Sequence, residues 1–69
     1  MTDYNKNLLT AQELEILKLT SQGLDNTEIG KKMFISKHTV KAHISKICKK
    51  LNAANRTNAA FIAGKNDLI

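Results

Sequence analysis

The sequence predicts an all-α fold of four helices, and three observations support that prediction. Apolar residues recur at the three- and four-residue spacing of a helix along most of the 69-residue chain. Each of these segments is preceded by a residue type that caps helix N-termini, namely Thr10, Asp25, Ser36 and Asn55. No segment shows the strict alternation of a half-buried strand. A chain of this length forms at most one domain and buries a modest fraction of its surface.

The first helix is predicted to begin after Thr10 and to run to about Gln22. Thr10 and Glu13 have the spacing of a capping box, in which the hydroxyl and the carboxylate each accept a backbone N–H. Gly23 is the residue type that ends helices in a left-handed conformation. The inward stripe comprises Ile16, Leu17 and Thr20, with Glu13 at its edge. A Glu13 that faces inward needs a cationic or donor partner, for which we expect Arg56.

A short second helix is predicted over residues 26–33, with Asp25 and Glu28 as a second capping box. Gly30 lies in its middle, where glycine costs roughly 1 kcal/mol relative to alanine. Close approach of another helix would explain this glycine. The alternative is that the fold simply tolerates it.

The third predicted helix, capped by Ser36 and running to Leu51, follows a turn at Phe34-Ile35 and organises the chain. Its apolar stripe consists of Val40, Ile44, Ile47 and Leu51. The opposite side is basic, small and free of acids, and it carries His38, Ala42, Ser45, Lys46 and Lys49, with Lys41 at its edge. Such a face fits phosphates and base edges in the DNA major groove. The alternative is a solvated lysine face.

A fourth helix is predicted from Arg56 to about Lys65, with Asn55 as its cap. One of its apolar faces comprises Ala59, Ile62 and Ala63. The other face comprises Thr57, Ala60, Phe61 and Gly64. Two apolar faces offer more surface than one small core requires, so we expect the second face to dock on another copy of the chain. The alternative is a terminal helix buried against the first helix on both sides.

The charges of the chain are segregated. The net charge is +5, yet nine basic and no acidic residues lie between Ile29 and Asn66, while the first 28 residues carry a net charge of −3. A basic half indicates a polyanionic partner. Because few aromatic residues exist to stack on single strands, duplex DNA is the better fit. The longest apolar run, residues 59–63, is too short to span a membrane.

The sequence offers no candidate for catalysis, cofactor binding or metal binding. It has no nucleophile–base pair, carboxylate dyad or phosphate loop. Cys48 is the single cysteine, which fits a reducing cytosol. His38, His43 and Cys48 are spread around the helix and do not form a metal site. We interpret His43 as a packed, neutral histidine and Cys48 as a small hydrophobe; the alternatives are a titrating switch and a redox sensor.

Several motifs point to a family. The stretch ISKHTVKAHISKICKKL at 35–51 is the most specific, and it is joined by Leu9-Thr10, Glu13, Glu15-Ile16-Leu17, Gly23, Asn26-Thr27-Glu28-Ile29, Arg56, Ala59 and Leu68-Ile69. With these residues the chain resembles the LuxR/GerE-type helix-turn-helix DNA-binding domain, which occurs in NarL-like response regulators and in stand-alone GerE-like regulators. The resemblance covers residues 9–69. Mild departures from the family pattern are Gln12, Gly30, Met33, Ala53 and Asp67.

The resemblance implies a transcriptional regulator that binds promoter DNA as a homodimer. The third helix would enter the major groove and the fourth would form the dimer contact. Carried over by position, the residues that face base edges are Lys41, Ala42 and Ser45. Phosphates would be met by Lys37, Thr39 and either Asn26 or Thr27. Helical angles also direct Lys46 and Lys49 toward the DNA backbone, and His38 toward a phosphate or solvent.

The remaining expectations concern the context of the domain. Residues 1–8 are polar and aperiodic, which predicts a disordered leader or the end of a linker before a domain at 9–69. A linker favours a fragment that follows a receiver or ligand-binding domain, and a stand-alone regulator is the alternative. RNA polymerase is a further expected partner, and the expected location is the bacterial cytoplasm, on the nucleoid. The competing function is a protein-interaction or antagonist module that pairs with another regulator through the fourth helix.

Overall fold

The structure, a computed structural model, describes residues 8–69. Its elements are α1 (Ala11–Ser21), α2 (Asn26–Met33), α3 (Lys37–Leu51) and α4 (Arg56–Lys65). The described part of the chain contains no strand, so the predicted all-α, four-helix architecture is confirmed. The predicted leader lies outside the described residues except for Leu8, which is half-buried and packs against the core.

All four predicted N-caps are confirmed. The side chains of Thr10, Asp25, Ser36 and Asn55 each accept a hydrogen bond from the backbone N–H three residues later. Both capping boxes are complete, because the Glu13 carboxylate accepts from the Thr10 amide at 2.8 Å and the Glu28 carboxylate accepts from the Asp25 amide at 3.0 Å. These bonds satisfy amides that have no partner within the helix.

The end of α1 is set by Gly23, as predicted. Gly23 has φ 91°, and its amide donates to the carbonyl of Thr20 at 3.0 Å. The next amide, that of Leu24, donates to the carbonyl of Leu19 at 3.3 Å. This pair of bonds is a Schellman motif, which reverses the chain toward α2.

The core lies where α1 and α3 meet, since each of these helices contacts all three others. It consists of Leu9, Ile16, Leu17, Leu19, Ile29, Val40, Ile47, Leu51, Ala59, Ala63 and Leu68. On α1 the buried arc is wider than predicted: Leu19 is buried, while Thr20 is only half-buried. Helix α1 contacts α2, α3 and α4 on different sides, which explains the wider arc.

The expected ion pair between Glu13 and Arg56 is wrong. The Glu13 side chain is buried, and its Oε1 accepts a hydrogen bond from Lys50 Nζ at 2.7 Å. Lys50 lies in the last turn of α3, which packs directly on α1. Arg56 begins α4 and donates instead to the Asn26 side chain and, at 3.3 Å, to the carbonyl of Leu24.

The environment of Glu13 favours its charged form. Burial by itself raises the pKa of Glu13, but the hydrogen bond and the charge of Lys50 act against it, as do the hydrogen bonds from Thr10. The pKa therefore lies below the ordinary value of 4.5. The pair stabilises the fold above that ordinary pKa, and its contribution is lost as the pH falls through the lowered pKa.

Gly30 occupies the closest contact between α2 and the start of α3. A Cβ at this position would lie 2.6 Å from the carbonyl oxygen of Ile35 and 3.5 Å from the amide nitrogen of Lys37. Of the two explanations that the sequence left open for Gly30, close approach is the one present, although the nearest atom belongs to the turn and not to another helix. A hydrogen bond of 3.0 Å from the Ile35 amide to the Gly30 carbonyl holds the turn at this distance.

We expect Gly30→Ala to lower the free energy of unfolding by about 1–3 kcal/mol, because the added methyl collides with backbone. Gly64→Ala is the matched control, since nothing lies within 4 Å of a Cβ there and alanine is the better helix former. That control should stabilise the chain by roughly 0.5–1 kcal/mol. Urea unfolding followed by circular dichroism measures both, and equal effects of the two substitutions would contradict the steric explanation.

We expect Lys50→Met to lower the free energy of unfolding at pH 7 by about 1–3 kcal/mol, because the buried Glu13 carboxylate loses its cation. The difference from wild type should shrink as the pH falls through the pKa of Glu13, since a protonated carboxyl needs no cation. Lys49→Met removes the exposed neighbouring lysine and should change stability by less than about 0.5 kcal/mol. A Lys50→Met deficit that is independent of pH would argue against the ion pair as its cause.

Candidate nucleic-acid interface

Helix α3 turns its basic side outward. The side chains predicted to meet DNA from this helix are all exposed, namely Lys37, His38, Thr39, Lys41, Ala42, Ser45, Lys46 and Lys49. The opposite side is held in the core by Val40, Ile47 and Leu51, each 0% exposed. Because a helix is rigid, this buried stripe fixes the direction of every exposed side chain along three turns or more.

The first turn of α3 is arranged around its cap. The Ser36 hydroxyl accepts from the Thr39 amide at 3.1 Å, and the two hydroxyls are themselves 3.0 Å apart. The amides of a first helical turn carry partial positive charge and attract anions. Lys37 adds a full positive charge at the same end of the helix. This end is therefore well suited to a phosphate.

The two α2 residues predicted as phosphate contacts differ in their surroundings. Thr27 is exposed, whereas Asn26 is half-buried and its side-chain oxygen accepts a hydrogen bond from Arg56. Asn26 thus helps to attach the start of α2 to α4. Of the two, only Thr27 is exposed and therefore free to contact a phosphate directly.

The basic residues divide into two groups. Lys50 is paired with Glu13, and Arg56 is bonded to Asn26 and the Leu24 carbonyl, so both serve the fold. The other seven cations between Ile29 and Asn66 are exposed: Lys31, Lys32, Lys37, Lys41, Lys46, Lys49 and Lys65. The sequence alone does not distinguish these two groups among the nine basic residues. Exposed lysines on α2 and α3 give this side of the molecule its positive potential.

The outer face of α4 is only partly covered. Thr57, Phe61 and Gly64 are exposed and Ala60 is half-buried, while Ala59 and Ala63 on the opposite side are fully buried. Phe61 is 66% exposed. The alternative of burial against α1 on both sides is therefore wrong. The face predicted for dimerisation is available to another molecule.

Sequence reasoning assigned no function to Phe34, the most exposed large hydrophobic residue among those described, at 93% exposure. It borders an open groove of about 450 Å³ between α2 and the start of α3, together with Thr27, Gly30, Lys31, Ile35, Ser36 and Lys37. A bulky apolar residue in the turn, two residues before the Ser36 cap, was the available signal, but its exposure depends on how the turn folds.

His43 and Cys48 lie at the border of the core. Both are half-buried, and Cys48 is a free thiol that packs against the core residues. These positions agree with the interpretation of both residues as packing groups. Within residues 8–69, no helix combines the length and the hydrophobicity that crossing a membrane requires.

Comparison with known proteins adds to this geometry. Residues 7–63 match the family model GerE, described as "Bacterial regulatory proteins, luxR family". The solved structure of the transcription factor GerE superposes with a TM-score of 0.84 at 31% identity, and the alignment covers 88% of this chain and 91% of that one.

Curated relatives are longer than this chain. The transcriptional regulatory protein LiaR of Bacillus subtilis (strain 168) is 49% identical over 61 residues, which are 88% of this chain and 29% of LiaR. DegU of Brevibacillus brevis is 41% identical over 66 residues, 93% of this chain and 28% of DegU. The response regulator VraR of Staphylococcus aureus (strain NCTC 8325 / PS 47) is 42% identical over 62 residues, covering 90% and 30% respectively. The chain thus spans less than a third of the length of these relatives.

Proposed function

The chain belongs to the luxR family of bacterial regulatory proteins, and we propose that it binds double-stranded DNA with α3 in the major groove. The observation that carries this proposal is the outward face of α3, which is exposed, basic and without a single acidic side chain. An α-helix fits the width of the major groove, where each base pair presents a distinct set of donors and acceptors.

Base recognition is assigned to the middle of α3. Ala42 and Ser45 are small, so they let the helix approach the base edges and offer a methyl contact or one hydrogen bond. Neither can read guanine with two bonds. Of the three residues assigned to base edges, Lys41 is the one with a long donor side chain. Sequence preference therefore rests on its ammonium group together with the shape of the DNA.

Phosphate contacts surround this reading face. At the start of α3, Lys37, His38 and Thr39 lie next to first-turn amides, and Thr27 lies at the start of α2. Farther along α3, Lys46 and Lys49 extend toward the strand that borders the groove. These contacts position the protein and carry most of the salt dependence. Asn26 acts indirectly, by joining the start of α2 to Arg56.

We assign the dimer contact on DNA to the outer face of α4, formed by Thr57, Ala60, Phe61 and Gly64. Phe61 supplies an exposed aromatic anchor, and the small residues beside it permit close packing of two helices. Two protomers related by a twofold axis would read inverted half-sites about one helical turn apart.

The domain serves transcriptional regulation in this proposal. Its relatives LiaR and DegU are named transcriptional regulatory proteins, and VraR is named a response regulator protein. RNA polymerase is a further partner of the proposed regulator, which would act on the nucleoid in the bacterial cytoplasm. The exposed face of α4 also favours a second candidate function, pairing with another regulator without DNA binding.

We expect Lys41→Ala to weaken specific DNA binding by about 1–3 kcal/mol, because the main donor to base edges is lost. The measurement is a fluorescence-anisotropy titration with a duplex selected from a random library by the wild-type chain. Lys65→Ala is the control, since this exposed lysine lies on α4, away from the reading face. An affinity that Lys41→Ala leaves unchanged would contradict the assignment of α3 as the reading helix.

We expect Phe61→Asp to prevent the second protomer from joining the first on DNA, since a charge would replace the apolar anchor. Sedimentation with a duplex of two inverted half-sites should give two wild-type protomers and one variant protomer at the same concentration. Affinity for a single half-site should stay the same, because Phe61 belongs to α4 and not to the reading helix α3. Wild-type dimers that bind no duplex even at low salt would favour the protein-pairing function.

A further inference from the structure

We propose that Phe34 and the groove beside it form a second DNA contact, in which the aromatic ring packs on the deoxyribose of the strand that Thr27 and Lys37 hold by its phosphates. This inference rests on the proposed function and adds an apolar, uncharged contact to it. The contact lies in the turn between α2 and α3, outside the reading face of α3.

The conformation of Phe34 is unfavourable in the isolated chain. Its φ of 59° and ψ of 40° place it in the left-handed region, where a bulky side chain is uncommon. Glycine or asparagine would adopt the same conformation more readily at this helix C-cap. The ring is also 93% exposed, so it adds almost nothing to the core. A partner that covers the ring would explain both the left-handed conformation and the exposure of Phe34.

The groove beside the ring combines apolar and cationic groups. Phe34 and Ile35 supply its apolar lining, and Lys31 and Lys37 supply two positive charges. Thr27 and Ser36 add hydroxyl groups at the starts of α2 and α3. No acidic side chain is among the residues that line it. A DNA strand presents the complementary combination, since its apolar sugar rings are joined by anionic phosphates.

The position of the groove favours the DNA backbone as its ligand. Thr27 and Lys37, which are assigned to phosphates on other grounds, both line this groove. A strand that contacts both residues passes along the groove and brings a sugar to the ring of Phe34. Gly30 also lines the groove, and because it has no Cβ, the turn that carries Phe34 lies close to α2.

The aromatic contact has a thermodynamic signature. Phosphate contacts by lysine release counterions, so they set the slope of the logarithm of the binding constant against the logarithm of the salt concentration. A ring packed on sugar releases no counterion and is driven by apolar burial. Removing the ring should therefore weaken binding by the same factor at every salt concentration.

The experiment compares the wild-type chain with Phe34→Asn, Phe34→Leu and Ile69→Asn. Asparagine tolerates the left-handed conformation, so Phe34→Asn removes the ring while keeping the turn. Leucine restores apolar surface at the same position. Ile69→Asn is the control for loss of an exposed apolar side chain, because Ile69 is 38% exposed and lies after α4, outside α3 and the groove. Anisotropy titrations use a duplex with a single half-site, on which dimerisation plays no part, at several salt concentrations.

The expected result is an affinity about five- to tenfold weaker for Phe34→Asn, as burial of an apolar side chain implies. Its salt slope should equal that of the wild type, and its stability to urea should be at least as high. Phe34→Leu should lie within about threefold of the wild type. Ile69→Asn should bind the half-site as the wild type does.

Two results would overturn the inference while leaving the proposed function intact. One is that Phe34→Asn binds the duplex as tightly as the wild type, which would indicate that the exposed ring contacts a protein partner instead. The other is a Phe34→Asn defect that appears as a smaller salt slope, which would mean that the substitution acts through phosphate contacts. A wild-type chain that binds no duplex at low salt would overturn the inference and the proposed function together.

Discussion

The start of the basic helix α3 depends on one close backbone contact, between Gly30 in α2 and the carbonyl of Ile35. Because Gly30 has no Cβ, the turn can fold back onto α2, and α3 begins only two residues later. A hydrogen bond of 3.0 Å from the Ile35 amide to the Gly30 carbonyl joins the same two residues. The starts of both helices, where anions bind best, are positioned by this contact.

The far end of α3 is fixed by a different kind of interaction. Lys50 reaches the buried carboxylate of Glu13, which also closes the capping box at the start of α1. One carboxylate thus joins the first turn of α1 to the last turn of α3. With a backbone contact at its start and an ion pair at its end, α3 is held as a rigid support for its exposed face. Precise support of this kind is what a helix needs to present side chains in register with base pairs.

Stability and recognition use separate members of the same residue class. Lys50 and Arg56 form contacts within the chain, whereas the other lysines of α2 and α3 are exposed to a partner. The two phenylalanines also serve surfaces, since Phe34 is on the turn and Phe61 on α4, and neither fills the core. A core of aliphatic residues and alanines is enough for so small a domain because α1 and α3 each pack against three neighbours. The two phenylalanines and the exposed lysines then remain available for partners.

The sequence by itself determined the four helices and their ends, because these depend on local chemistry. Thr10, Asp25, Ser36 and Asn55 each bond an amide three residues away, and the left-handed stop at Gly23 needs only its neighbours. The exposed and buried sides of α3 also followed from helical period alone. The tertiary structure decided what depends on the angles between helices: Lys50 lies 37 residues from Glu13 in the chain, and no local pattern distinguishes it from Arg56. The exposure of Phe34 and the attachment of Asn26 to Arg56 were decided in the same way, since both follow from how α2 sits against α3 and α4.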